Sequence, residues 1–314
     1  MTGAVLGLDT SNYTTSAAVF RDGGGHNAGR LLEVRPGERG LRQSDALFQH
    51  VRQLPRMMEE LSELGLLKDL TAVGASTSPR RAEGSYMPCF LAGASQGQSL
   101  AAALGVPFFA FSHQEGHLAA AAWSAGRMEL LDSPFLAWHL SGGTTELLLV
   151  QPGGGSMEVR ILGGTSDISA GQLIDRTGVM LGLSFPAGKA LDALYGQADA
   201  RLEYRVKSRE LTFSLSGMEN QVKKLLSEGE KPANIARFAL DTVINVVLRV
   251  TREAQQRYPG LPVLCSGGVA SNSQLRAALT QSCGAVFAQP QFSADNAMGI
   301  AILTCRAMER RDGR

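Results

Sequence analysis

The chain has no CxxC pair. Its four cysteines, Cys89, Cys265, Cys283 and Cys305, are scattered over 314 residues, a spacing that points to neither a zinc ribbon nor a dithiol redox motif. No GxxxxGK[ST] occurs, and no GxGxxG follows the first apolar segment, so the P-loop and the Rossmann fingerprint are both missing. Neither sign of charge dominates. Thirty Lys and Arg stand against 29 Asp and Glu, a net charge of +1, which gives no support for a broad basic surface but leaves room for a local patch. The apolar stretch from Leu100 to Phe111 is too short to span a bilayer. The opening, MTGAVLGLDTS, lacks a basic segment followed by an apolar one. These absences lead us to expect a cytoplasmic chain with no membrane partner.

What is present is enough for a large core. Apolar residues make up 44% and charged residues 19%, which excludes wholesale disorder. The length suits one large domain or two lobes. Ala4 to Leu8 and Thr14 to Phe20 read as strands around a polar turn at Asp9 to Tyr13. Phe135 to Leu140 and Thr144 to Val150 repeat the pattern around Ser141-Gly142-Gly143. An offset of 130 residues aligns Ser11 with Ser141 and Thr14-Thr15 with Thr144-Thr145, which suggests duplicated lobes and not a solenoid. Pro232 to Arg257 is the clearest helix, with Ile235, Phe238, Ala239, Val243, Val246, Val247 and Val250 on one face. Asp22 to Gly29 reads as an exposed loop, and Ala294 to Arg310 as the last helix.

Three turns follow apolar strands: Asp9-Thr10-Ser11-Asn12, Ser141-Gly142-Gly143-Thr144 and Ser266-Gly267-Gly268-Val269. Backbone N–H groups in such turns converge on an anion because little side chain blocks the approach. One Gly turn is usually only a turn; three in this order suggest a polyphosphate site. Asp9 and Ser11 are the catalytic candidates in the first. Asp175 could bind a ribose hydroxyl or be a helix-surface charge. Asn272 could be only a helix N-cap.

The metal candidate is His113-Gln114-Glu115-Gly116-His117. Positions i and i+4 share one helical face, so both imidazoles can reach one ion. An arbitrary HxxxH is more often two unrelated histidines. Here His113 follows an apolar strand, Pro107 to Phe111, at an edge where sites lie. Asp295, ahead of the last helix, is the best carboxylate for a third ligand, and two His with one Asp leave positions open for water or substrate. Glu115 is out of place for an HExxH protease.

Over nearly its whole length the chain resembles the TsaD family of tRNA threonylcarbamoyltransferases, once called O-sialoglycoprotein endopeptidases and classed as peptidase family M22. The resemblance rests on His113-Gln114-Glu115-Gly116-His117-Leu118 and Ser141-Gly142-Gly143, then Asp175-Arg176-Thr177 through Leu181-Gly182-Leu183 to Pro186-Ala187-Gly188. It continues with Phe213-Ser214-Leu215-Ser216-Gly217, Gly267-Gly268-Val269-Ala270-Ser271-Asn272 and Asp295-Asn296. It implies an α/β, actin-like (ASKHA, ribonuclease H-like) fold of two lobes with a nucleotide cleft between them. The lobes are expected at 1–112, completed by a helix at about 296–314, and at 113–295, the latter carrying the metal and nucleotide sites. It implies iron or zinc on His113, His117 and Asp295, and ATP, ADP or an acyl-adenylate on His139, Leu140, Ser141, Gly142, Gly143, Asp175, Gly188, Gly267, Gly268 and Asn272. The implied chemistry is threonylcarbamoyl transfer from an adenylate to a tRNA adenine, with tRNA and a TsaB-like protein as partners. A TsaB-like scaffold or an ATPase with another acceptor is the alternative; peptidase activity is not expected.

The departures from the family fall around the first turn, where two acidic positions are Tyr13 and Thr14, at Thr144 in place of a histidine, and at Ser78-Pro79-Arg80-Arg81-Ala82-Glu83 in place of a glycine-rich segment. They suggest a divergent paralogue, with Arg80 and Arg81 as donors to a phosphate or carboxylate.

Overall fold

The computed structural model describes all residues except 1, 2, 12, 35–40, 154, 155, 203, 204, 312 and 314, so Asn12 lies outside the described residues. The chain forms two compact units. The first comprises Met1–Leu131, Pro152–Glu158 and Gln291–Arg314; the second, Asp132–Gln151 and Val159–Pro290.

The first unit contains β1 (Ala4–Asp9), β2 (Thr14–Arg21), β3 (Gly24–Leu31), α1 (Gln43–Glu63), β4 (Leu70–Ser78), α2 (Leu91–Leu104), β5 (Phe108–Ser112) and α3 (His113–Ser124). Its sheet runs β3-β2-β1-β4-β5. The first three strands pair antiparallel, and β4 and β5 add in parallel. β1 is buried along its whole length, as a central strand covered on both faces must be. α1 turns Ala46, His50, Leu54, Met57 and Leu61 inward at three- and four-residue steps.

The second unit contains β6 (Phe135–Leu140), β7 (Thr145–Gly153), β8 (Ser156–Thr165), α4 (Ala170–Met180), α5 (Gly188–Tyr195), β9 (Ser208–Arg209), β10 (Thr212–Phe213), α6 (Ser216–Ser227), α7 (Pro232–Arg257), β11 (Val263–Ser266), α8 (Ser273–Cys283) and β12 (Val286–Phe287). The ends of β7 and β8 at 152–158 count with the first unit. The sheet runs β12-β11-β6-β7-β8-β10-β9. Within it, β12-β11-β6-β7-β8 repeats the order of the first sheet. The registers repeat too. Val5 pairs with Phe20, and 130 residues on, Phe135 pairs with Val150. The duplication is thus carried at the level of hydrogen-bond register. α7 is centred on a core that includes Phe238, Val243, Val247 and Val250.

The last helix, α9 (Met298–Arg311), packs on β1, β2, β4 and α3 in the first unit. Three readings of the sequence need correction. The 112/113 boundary assigns α3 and Asp295 to the second lobe, whereas α3 lies against α9 and both belong to the first unit. Ala294–Asn296 precedes the last helix and is not part of it: the Asn296 side chain accepts from the Met298 N–H at 3.1 Å. Asp22 to Gly29 is largely an edge strand and not a loop. Asp22 and Gly23 both take positive φ, 50° and 82°, and Arg21 pairs with Gly24. This is the two-residue Asp-Gly hairpin, whose twist matches the strands it joins.

Candidate functional site

β5 runs directly into α3, and Ser112 marks the change. Its hydroxyl accepts from the Glu115 N–H at 3.3 Å, while the Glu115 carboxylate accepts from the Ser112 N–H at 2.7 Å, a reciprocal cap that fixes the first turn. His113 and His117 then fall on one face. Gly116 and Gly299 set the contact of α3 with α9: a Cβ on Gly299 would stand 1.7 Å from the Gly116 carbonyl oxygen. That approach brings the α3 histidines to Asp295, three residues before α9.

His113 Nε2 and His117 Nε2 are 2.9 Å apart. Asp295 Oδ1 lies 3.1 Å from His117 Nε2 and 3.3 Å from His113 Nε2. Donors about 2.1 Å from a tetrahedral ion are separated by roughly 3.4 Å, so this small triangle is the size of one face of a coordination shell. Two imidazole nitrogens and a carboxylate oxygen also suit zinc or iron by type. Behind the triangle, His113 Nδ1 is 2.8 Å from Asp9 Oδ2, and Asp9 Oδ1 accepts from the Ser11 N–H at 2.9 Å. Asp9 is buried. With the His113 Nδ1–H donating to Asp9, the Nε2 lone pair of His113 faces the triangle. Burial disfavours a charged His113, but Asp9 and Asp295 outweigh it and push its pKa up to about 10. Burial also opposes ionisation of Asp295, and the two imidazoles overcome it, holding the carboxyl well below the usual range.

The sequence marked Asp9 and Ser11 as catalytic candidates. In the structure Asp9 contacts His113, and Ser11 contributes its backbone N–H to Asp9 while its own hydroxyl is buried without a partner among the described residues. The residue sequence reasoning missed is His50. It is fully buried on α1, with Nδ1 2.7 Å from Thr15 Oγ1. Burial lowers its pKa to about 4 against the attraction of Asp9. An apolar i, i+4 face interrupted by one histidine was the available signal. Arg81 Nε lies 3.4 Å from the buried Glu115 carboxylate, so that guanidinium already has a carboxylate partner on α3.

In the second unit the two glycine turns lie at the ends of neighbouring parallel strands, with Ser266 opposite His139. Gly267 has φ +96°, and a Cβ there would meet the Leu140 carbonyl oxygen at 2.2 Å; no other residue fits. At Gly142, Gly143 and Gly268 a Cβ would meet nothing within 4 Å. Their backbones face open space, which an anion could fill. Ser141 and Thr144 close the first turn, Ser141 N–H to the Thr144 carbonyl at 2.8 Å and Thr144 N–H to Ser141 Oγ at 3.0 Å. The N-terminus of α4 rests on it: the Ser169 hydroxyl donates to the Gly142 carbonyl at 2.6 Å, and Gly171 leaves no room for a Cβ against Gly142. A cavity of about 570 Å³ opens here, with Gly142, Gln172, Asp175, Met180 and Phe185 in its walls. Asp175 Oδ1 accepts from the Ala187 N–H at 2.8 Å, which steadies the start of α5 at Gly188. Asn272 caps α8 through Oδ1, accepting from the Leu275 N–H at 2.9 Å, while its buried Nδ2 finds no partner among the described residues. The cap therefore uses only half of the side chain.

Residues 36–302 match the model of the family described as "TsaD: tRNA N6-adenosine threonylcarbamoyltransferase". The chain belongs to the TsaD family. A tRNA N6-adenosine threonylcarbamoyltransferase of Thermus thermophilus is 33% identical over 318 residues, covering 98% of this chain and 93% of that one. Among solved structures, full-length HypF in its phosphate- and nucleotide-bound form superposes with a TM-score of 0.60 at 13% identity, over 98% of this chain and 55% of HypF. Component A of the Acidaminococcus fermentans (R)-2-hydroxyglutaryl-CoA dehydratase superposes at 0.56 and 18% identity, over 98% and 100%. At such identities the likeness establishes the actin-like fold alone. The matched residues of the TsaD model begin after β3, so the divergent first turn lies outside them.

Proposed function

We propose that this chain transfers a threonylcarbamoyl group from an acyl-adenylate to the N6 amine of an adenine in tRNA. The observation that supports it most is the His113–His117–Asp295 triangle with Asp9 behind it, in a chain of the TsaD family. His113, His117 and Asp295 would hold zinc or iron. When bound, such an ion supplies Lewis-acid polarisation of the carbamoyl carbonyl.

The chain's own residues do the rest. Open backbone at Gly142, Gly143 and Gly268, beside the N-terminus of α4, offers N–H groups to the phosphate of the adenylate. Asp175 and the start of α5 at Gly188 take the ribose side. His139, Leu140, Gly267 and Asn272 shape the turns, with Asn272 Nδ2 as a spare donor. In the transfer, the amine nitrogen forms a bond to the carbamoyl carbon, the bond from that carbon to the phosphate oxygen breaks, AMP leaves, and the amine loses a proton. Held phosphate is a better leaving group because its developing charge meets fixed donors. ATP or ADP would occupy the same turns. A TsaB-like protein would be a partner, and the setting would be the cytoplasm.

The test is direct. Purified metal-loaded protein, with and without a TsaB-like partner, is incubated with threonylcarbamoyl-adenylate and unmodified tRNA, and the nucleosides are analysed by mass spectrometry. Threonylcarbamoyladenosine that disappears with His117→Ala supports the reading. Its absence in every combination, with the adenylate still bound, rejects it.

A further inference from the structure

The second unit carries a polar groove along α7 that the chemistry above does not use. Two adjoining cavities, about 160 Å³ and about 560 Å³, share Asn245 and Arg249 in their walls. Arg205, from the segment ahead of β9, lines the smaller one; Arg252 lines the larger. Asn245, Arg249, Arg252 and Gln256 follow at steps of four, three and four residues, so they form one stripe on the helix. At about 1.5 Å per residue the stripe is roughly 16 Å long.

Three other arginines near this groove have acidic partners. Arg237 and Arg201 lie on Asp241, and Arg257 lies on Glu253 and Glu210. Arg205, Arg249 and Arg252 differ: among the described residues none has a carboxylate within 4.0 Å. Arg249 makes a long bond of 3.4 Å to the Val206 carbonyl, and Arg252 sits beside Cys283. Asp241 lines the smaller cavity and Glu253 the larger, each paired with the arginines just named, so Arg205, Arg249 and Arg252 leave an excess of positive charge along the two walls, which an anion would neutralise. Their forked donors match phosphate oxygens in geometry. Phosphates recur along one nucleic-acid strand every ~3.4 Å of axis, a spacing the stripe can follow. Asn245 adds neutral donors of the kind that position a backbone without reading sequence.

We infer that this groove holds the phosphate backbone of an RNA, with Arg205, Arg249 and Arg252 as the contacts. The inference rests on the tRNA reading above and adds where the acceptor is gripped. It also reconciles a net charge of +1 with a polyanionic substrate, since a few arginines without carboxylate partners in one groove suffice.

The test uses the full-length, metal-loaded chain and fluorescently labelled unmodified tRNA, titrated over a range of salt. The variant is Arg205→Gln/Arg249→Gln/Arg252→Gln; the control is the corresponding triple lysine variant. The expected result is a tRNA affinity about tenfold or more weaker, and a slope of log affinity against log salt shallower by about 2 to 3, from roughly one unit per lost phosphate contact. The lysine variant should recover most of both, and zinc content and adenylate binding should stay unchanged in all three proteins. An unchanged affinity and slope in the glutamine variant overturns the groove. So does saturation by inorganic phosphate or by polyglutamate without binding of tRNA, which would assign a small anion or an acidic protein instead. The two readings fail separately. tRNA modified equally well by the glutamine variant sinks the groove alone; tRNA bound through the arginines but never modified sinks the transferase reading alone.

Discussion

Asp9 Oδ2 lies 2.8 Å from His113 Nδ1, and this one contact ties the first turn of the chain to the helix that carries the metal candidates. It sets the tautomer, and so decides which lone pair His113 offers. Replacing Asp9 by Asn keeps the size but weakens that control. Zinc affinity, read by competition with a chelating dye, is expected to fall about 10- to 100-fold, as for other partners of metal-bound histidines. His117→Ala should abolish stoichiometric binding. Unchanged affinity in Asp9→Asn would mean that the contact is incidental.

Zinc binding should depend on pH in a defined direction. In the metal-free protein His113 holds its proton up to about pH 10, and a bound ion must displace it. Apparent affinity should therefore rise with pH up to about 10, with proton release on binding. The stability of the metal-free protein should move oppositely. The raised His113 pKa contributes fully below 6.5, and that contribution is lost as pH rises through about 10. Thermal melts at about pH 6, 8 and 10, with and without zinc, read both effects.

His50 gives the opposite sign. Its pKa is lowered to about 4 by burial, against Asp9, so between pH 6.5 and 4 the unfolded chain binds a proton that the folded chain does not. Stability should fall as pH drops through that window and level off below it. His50→Gln should flatten this part of the profile. A profile identical to wild type would show that another group carries the acid sensitivity.

Neighbouring glycines should separate folding from binding. Gly267→Ala places a Cβ 2.2 Å from the Leu140 carbonyl oxygen at positive φ and should cost about 1–3 kcal/mol in urea unfolding. Gly268→Ala meets nothing and should leave stability within about 0.5 kcal/mol while weakening adenine nucleotide binding measured by calorimetry. Equal stability losses for the two variants would mean that Gly267 and Gly268 are equally confined.

Gly299→Ala should couple packing to the metal. Its Cβ would stand 1.7 Å from the Gly116 carbonyl oxygen, so α3 and α9 must separate. We expect a loss of about 1–3 kcal/mol from overpacking, together with weaker zinc binding, because the same contact brings His113 and His117 to Asp295. Full zinc affinity in a destabilised variant would show that the triangle does not depend on the helix pair.

The sequence by itself determined whatever is local or periodic. The duplication was legible because pairing register follows alternation and turn position, and an offset of 130 residues carries Val5 and Phe20 onto Phe135 and Val150. The histidine pair was legible because i and i+4 share a helical face, and α7 because its apolar spacing is long and regular. β3 is hard to read from sequence because Gly24 to Asn27 have little strand propensity; its place comes from pairing with β2 and from the Asp22-Gly23 hairpin. Only the tertiary structure decided that Asp9, 104 residues before His113, is its hydrogen-bond partner, that α3 belongs with α9 in the first unit, and that His50 is a buried neutral base. These are contacts between segments far apart in sequence, and no periodicity encodes a distance across a core. They are set by close backbone approach, as at Gly116 and Gly299, and by burial, which favours pairing of enclosed polar groups such as Asp9 with His113.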